Sequence, residues 1–506
     1  MSIGYSGSRS IRRAFPDPLR FRRPRREGIV DIWFYLSFTL MIPLAKTPNE
    51  TLMERKDEIF NEIDKSSNRF VEKLQALCRQ PSVSAQNLGL DETAELVSRF
   101  LRETGFTVER FSPSTGPPIV FAELPSKTGR RTLVFYNHYD VQPVEPVELW
   151  KNPPFSATVE DGKIYARGAS DNKGNIASRL MAVDAFLKVT RDVPCNIKWV
   201  IEGEEEIGSP HFSEFIMRYK ERLTGDSGIW EFGGLDYEDR PLVTLGLKGM
   251  LYVEFRVQTA LKDSHSARAA VVENPAWRLV RMLDTITDED GRILVEGWYD
   301  NVKPFTQEEL EVIRAMPLEE HSIRDELGVK NFLFGLTGFE FKKAFYGNPT
   351  ANIAGIWSGY TGPGHKTVLP SVAQAKMDFR LVPNQDPVKL AEKLRQHLVR
   401  HGFADVEVNL QAENPAARTP IDAPIAKIAA RAGREVFHKE PVTLVTSAAS
   451  GPMHYFTNTL GLPTVAIGCN HAKSNTHAPN ENQRIDVFVQ GSKWIARVIE
   501  EFAKQT

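Results

Sequence analysis

Residues 196–209 read NIKWVIEGEEEIGS, a largely apolar run that empties into four carboxylates, Glu202, Glu204, Glu205 and Glu206, within five positions. Taken alone, an acidic cluster is most simply a solvated face. Here two further segments repeat the design. LVFYNHYD (133–140) is a continuous apolar run that ends in His138 and Asp140, and PTVAIG (463–468) runs into CNHAKSNTHAPNE (469–481). Short runs of this kind are strands buried on both faces, and open α/β sheets place their ligand crevice just beyond the carboxyl ends of such strands. Between the first two, ARGASDNKGNIASRLMAVDAFLKV (166–189) places a glycine-bearing turn before a helix with Ile176, Leu180, Val183 and Leu187 on one stripe. The pattern predicts an α/β fold with chemically capable residues gathered at one edge of the sheet.

A second, smaller layer interrupts that sheet. From 248 to 411 the order is strand (MLYVEFRVQ), helix (NPAWRLVRMLDTI), a long irregular insert, strand (VAQAKMDFRLV), helix (DPVKLAEKLRQHLVRHG) and strand (VEVNL). This is the order of a split βαβ, ferredoxin-like α+β unit. The expected organisation is a catalytic domain in two parts, 50–247 and 412–506, around an inserted domain at 248–411.

The bulk composition suits a globular enzyme of 506 residues: 41% hydrophobic, 25% charged, formal net charge -2. Near-neutral charge with no sustained basic face after residue 45 argues against nucleic acid as a partner of the main body, and no membrane partner is expected for it. Cys78, Cys195 and Cys469 are few, odd in number and widely spaced, which points to a reducing compartment, hence the cytoplasm, and to no thiolate zinc site. The first 45 residues differ: arginine-rich RRAFPDPLRFRRPRREG precedes apolar IVDIWFYLSFTLMIPLA. We read them as a translation start placed too early, with Met41 or Met53 opening the enzyme. The alternative is a signal or anchor segment that would export or tether it, against which Asp31 interrupts the apolar run.

The candidates for chemistry are His138, Asp140, Asp171, Glu205, Glu206, Glu231 in GIWEFGG, and His477. Imidazoles with carboxylates make a hard donor set suited to catalytic zinc, manganese or cobalt. Two cations about 3.5–4 Å apart repel strongly, so a bridging carboxylate and further anions are needed, together with a free carboxylate as base. That need explains an acidic strand exit, because neighbouring residues there point in divergent directions. No GxSxG nucleophile elbow follows a strand.

NHYDVQPV, ARGASDNKG, EGEEEIGS and NTHAPNE, in this order, resemble the signatures of the M20 metallopeptidases, and residues 350–387 are similar to the carnosine and cytosolic nonspecific dipeptidase branch. The resemblance implies a zinc-peptidase-like catalytic domain with an inserted dimerisation or lid domain, two divalent metal ions per subunit, and a small peptide substrate. It implies His138 and Glu231 on one metal, Glu206 and His477 on the other, Asp171 bridging, Glu205 as general base generating a metal-bridged hydroxide, and Asp140 orienting His138. It further implies that His265 in DSHSA stabilises the oxyanion across a homodimer, that Arg380 in FRLVP grips the substrate's carboxylate, and that Thr367 and Ser450 lie on the substrate side. Glu231 stands where the dipeptidase branch tends to carry aspartate, and TSAASGP (446–452) stands where it carries REGGSIP. The expected activity is therefore dipeptide or short-peptide hydrolysis, with N-acyl-amino-acid deacylation or carboxypeptidase action as the alternative and a catalytically silent binding protein as a remote one.

Overall fold

Three parallel strands at the centre of the main sheet include the apolar runs that end in His138 and in the glutamates 202–206. They are β3 (Thr132–His138), β4 (Asn196–Glu202) and β5 (Ser227–Trp230), with β3 between the other two. Two strands, β1 (Thr107–Phe111) and β2 (Ile119–Leu124), extend the sheet antiparallel beyond β4. On the far side β6 (Leu242–Thr244) and two strands from the C-terminal part, β11 (Val442–Leu444) and β12 (Thr464–Ala466), complete the order β1-β2-β4-β3-β5-β12-β6-β11. The description comes from a computed structural model and covers residues 48–317 and 320–505; the N-terminal segment 1–45 lies outside the described residues.

The central strands are apolar because helices cover them. Helix α2 (Lys173–Thr190) is buried along almost all of its first four turns rather than on one stripe, since it packs against α6 (Ile485–Ala503) as well as the sheet. Phe135, Trp199, Ile229, Leu180 and Trp494 belong to the resulting core, each 1% exposed or less. Cys78, Cys195 and Cys469 are free thiols inside it.

Residues 249–414 build a separate four-stranded antiparallel sheet, ordered β8-β9-β7-β10 from β7 (Gly249–Gln258), β8 (Thr350–Ser358), β9 (Val372–Leu381) and β10 (Glu407–Asn414). Burial alternates strictly along β7 and β9, so Leu251, Val253, Phe255, Ala375, Met377 and Phe379 face a core covered by α3 (Pro275–Asp284) and α4 (Pro387–Arg400). Both helices open with proline behind a side-chain cap, Asn274 and Asp386. The opposite face presents Glu254, Lys376, Asp378 and Arg380. Strand β8 is absent from the sequence reading because TANIAGIWS lies on an exposed edge and shows no alternation. Among its described residues the stretch read as irregular holds three α-helices, Gln307–Ala315, Glu320–Leu327 and Gly338–Gly347. The main sheet gives way to the smaller one where Gly246–Leu247 pair with Ala417–Arg418. At Gly249 a β-carbon would meet the Asn414 carbonyl oxygen at 2.5 Å, so only glycine passes that crossing. No described helix is long and apolar enough to cross a membrane.

Candidate metal centre

Because β3, β4 and β5 run parallel, their carboxyl ends share one edge of the sheet. His138 is the last residue of β3, the Glu205–Ile207 turn follows β4, and Glu231 follows β5. Asp171 arrives from the loop before α2, and His477 from the loop after β12 in a left-handed conformation (φ +62°) that non-glycine residues seldom adopt.

Asp171 lies between the two imidazoles. Its Oδ1 is 3.1 Å from His138 Nε2 and its Oδ2 is 3.1 Å from His477 Nε2. Glu231 Oε2 is 2.9 Å from His138 Nε2, and Glu206 Oε2 is 3.1 Å from His477 Nε2. Two groups result, His138–Asp171–Glu231 and Asp171–Glu206–His477, each with its ligand atoms within 4.8 Å of one another. This donor set fits two divalent cations: nitrogen and carboxylate oxygen only, three anions for two cations, one anion common to both groups. Glu206 Oε1 is buried without a hydrogen-bond partner, an acceptor left for such a cation.

Electrostatics fit as well. Hydrogen bonds to Asp171 and Glu206 push His477 up to about 10. Burial opposes charge on His138, yet Glu231, Asp140 and Asp171 raise it well above the ordinary histidine range. Burial likewise works against the Asp171 carboxylate, but the two imidazoles prevail and hold its pKa below the usual range. Imidazoles bind metal in their neutral form, so a bound cation would take the place of these protons. Burial, then the charge of Glu231, pushes Glu205 well above the usual carboxyl range.

The four glutamates of the strand exit divide by partner. Glu202 is buried, accepts from Tyr136 Oη (2.6 Å) and Ser209 Oγ (2.9 Å), and is pushed by burial to about 8, so it is a mostly neutral prop at neutral pH. Glu204 binds His211 Nδ1 at 2.7 Å, and His211 Nε2 in turn meets Thr115 Oγ1 at 2.8 Å. Glu205 and Glu206 turn to the cluster. Asp140 fixes that turn and His138 together, accepting from the Glu205 and Glu206 amides at 3.2 and 3.0 Å and lying 3.3 Å from His138 Nδ1.

Two buried residues that sequence reading missed hold the frame. Glu481, 0% exposed, accepts from Gly168 N (3.0 Å), Ser170 N (2.9 Å), Asp171 N (2.9 Å) and Arg167 Nη1 (2.8 Å). Arg179 donates to Tyr136 O at 2.7 Å, to Asn137 Oδ1 at 2.6 Å and to Trp230 O, tying β3 to β5 beneath the ligands. A signal existed for Arg179: a charge at helical spacing from Ile176 and Val183, on the apolar stripe itself.

The remaining candidates form two further groups. Arg380 Nη1 donates to Ser450 Oγ at 2.9 Å, and a β-carbon on the adjacent Gly451 would come within 3.4 Å of Glu205 Oε1, which links this pair to the cluster. His265 and Thr367 meet on an exposed two-stranded ribbon of segments more than 100 residues apart in the chain, where Ser264–His265 pair with Val368–Leu369 and Ser266 N donates to Thr367 O. Among the described residues no hydrogen bond or ion pair joins His265 to the metal cluster; its imidazole accepts from Ala267 N.

A family model, Peptidase family M20/M25/M40, matches residues 134–501. Human Beta-Ala-His dipeptidase is 31% identical over 404 residues, 77% of this chain and 78% of its own length. The Cys-Gly metallodipeptidase of Schizosaccharomyces pombe is 25% identical over 474 residues, 88% of this chain and 98% of its own. Among solved structures, an M20 family metallo-carboxypeptidase from Sulfolobus solfataricus superposes with a TM-score of 0.83 at 38% identity, covering 86% of this chain and 99% of that one. The chain belongs to peptidase family M20/M25/M40, on the branch of the carnosine and Cys-Gly dipeptidases.

Proposed function

We propose that this chain hydrolyses the peptide bond of dipeptides or short peptides that end in a free carboxylate, with His138 and Glu231 holding one divalent cation, Glu206 and His477 a second, and Asp171 shared between them. Zinc is the preferred cation, with manganese or cobalt as substitutes. The observation that carries the reading is Asp171, whose two oxygens each lie 3.1 Å from a different imidazole. When bound, the cations supply Lewis acidity toward water and the peptide carbonyl.

Glu205 takes the proton of the attacking water and returns it to the leaving amine. A carboxylate beside the cluster that belongs to neither ligand group suits a base that must also act as an acid. Asp140 keeps His138 and the Glu205–Glu206 turn in register. Arg380 and Ser450 receive the substrate's carboxylate, for which a guanidinium fork is suited, with Thr367 beside them in the assembled site. The oxyanion formed on attack is stabilised by the partner subunit's His265, which requires a homodimer with 248–411 serving as dimerisation and lid domain. The free, buried thiols support a cytoplasmic setting.

A second reading, carboxypeptidase action on longer peptides, is favoured by the similarity to the Sulfolobus solfataricus metallo-carboxypeptidase. The deciding experiment is amino-acid release from dipeptides, tripeptides and N-acetyl amino acids by chelator-stripped protein with and without zinc or manganese. Metal-restored cleavage of dipeptides alone supports the first reading. Release from tripeptides in preference to dipeptides moves the assignment to the second, release from N-acetyl amino acids alone moves it to deacylation, and no release under any metal refutes all three.

A further inference from the structure

Lys248 is 4% exposed, and its ammonium makes one hydrogen bond, to the carbonyl oxygen of Asn348 at 2.8 Å. No carboxylate pairs with it among the described residues. An ammonium carries three donors, and a buried charge is ordinarily paired, so two of its N–H groups are left for something else.

The position says what. Lys248 N donates to Ser447 O at 3.2 Å, and the next residue, Gly249, accepts from Ser450 Oγ, also at 3.2 Å. That same hydroxyl takes the hydrogen bond from Arg380 Nη1. Arg380 pairs with Met250 on one side and Thr350 on the other, and Asn348, which holds Lys248, lies two residues before Thr350. Lys248 through its amide and Arg380 through its guanidinium therefore hold the two ends of one loop, 447–450, which leads directly to Gly451 beside Glu205. Arg380 has Asp378 at 3.5 Å, whereas Lys248 has no acid. Burial, followed by the charge of Arg380, brings Lys248 down to about 8, a cost that a bound anion would reverse.

We infer that Lys248 is a specificity-determining residue that receives a second carboxylate, so that the preferred C-terminal residue of the substrate is acidic, glutamate or aspartate. The inference rests on the peptidase reading above, in which Arg380 takes the α-carboxylate. The test compares Ala-Glu with Ala-Gln, which differ by one charge, on the manganese-loaded wild type, Lys248→Met and Lys248→Arg, with circular dichroism to verify folding. The wild type favours Ala-Glu by about tenfold or more in kcat/KM, carried by KM. In Lys248→Met the loss falls on Ala-Glu at least about tenfold more than on Ala-Gln, while Lys248→Arg keeps the preference. Equal cleavage of the two by the wild type, or equal losses in Lys248→Met, overturns the inference. If the wild type cleaves neither, the substrate panel described above decides the peptidase reading. Titration calorimetry with L-glutamate and L-glutamine then decides the Lys248 question alone: preference for glutamate that disappears in Lys248→Met supports it, and equal or absent binding overturns it.

Discussion

Replacing Glu481 with glutamine removes one charge from a residue that touches no proposed ligand side chain, yet both metal positions should feel it. The carboxylate takes four donors, three backbone amides of the 168–171 loop and the Arg167 guanidinium, at 2.8–3.0 Å in a fully buried setting. Glutamine offers one acceptor oxygen and turns an NH₂ toward two of those donors. Hydrogen bonds to a charged group contribute about 1.5–3 kcal/mol each, so two lost bonds amount to roughly 3–6 kcal/mol. Leaving Arg167 buried without its partner falls in the same range, about 3–5 kcal/mol, and the two costs overlap rather than add. The expected loss is therefore about 3–5 kcal/mol in urea unfolding of the cation-free protein. Because Glu481 binds the amide of Asp171, the proposed ligand common to both groups, chelator competition should show both cations weakened by about 10–100-fold. A shift below about 1 kcal/mol with unchanged metal affinity would refute the positioning role.

Three further outcomes follow from the same geometry. Glu205→Gln should lower kcat by about 10²–10⁴-fold while metal content, read by atomic absorption, stays at the wild-type value; an active variant removes Glu205 as the base. His477, pushed up to about 10, must shed its proton to bind a cation, so affinity climbs with pH below that value and calorimetry in buffers of different ionisation enthalpy registers proton release. The same raised pKa contributes stability to the cation-free protein that is fully present below the ordinary histidine value near 6.5 and is lost as pH rises through about 10. Affinity that stays flat from about pH 6 to 9 contradicts this assignment of His477. Finally, His265→Ala and Glu205→Gln, each inactive as a homodimer, should recover about a quarter of wild-type activity when mixed and reassociated, because the mixed dimer rebuilds one complete site; no recovery rules out action across a dimer.

Much of the arrangement was legible because strand burial and strand ends are local properties. The largely apolar runs at 133–136, 197–201 and 464–467 have the length and composition of buried strands, and the polar residues at their ends share an edge as soon as the strands run parallel. His138, Glu205 and Glu206 could be named on that ground, and alternation along 249–258 and 372–381 located the second sheet. Strand β8 escaped because an exposed edge imposes no alternation on its residues.

The division of labour among charged residues was legible only where the family resemblance assigned it, and the partners of Glu202 and Glu204 were not legible at all. Glu202, Glu204, Glu205 and Glu206 are alike in the chain. They become a mostly neutral prop, a histidine partner, a candidate base and a candidate ligand through Tyr136, His211 and Asp140, and Tyr136 and Asp140 lie more than 60 residues away. Glu481 and Arg167 are 314 positions apart, and Lys248 and Asn348 are 100. By itself, the sequence determined which residues could reach one edge of a sheet. Only the tertiary structure decided which of them are charged, which are paired and which are left with unspent donors, because protonation and hydrogen bonding depend on burial and on partners that folding alone brings within 3 Å.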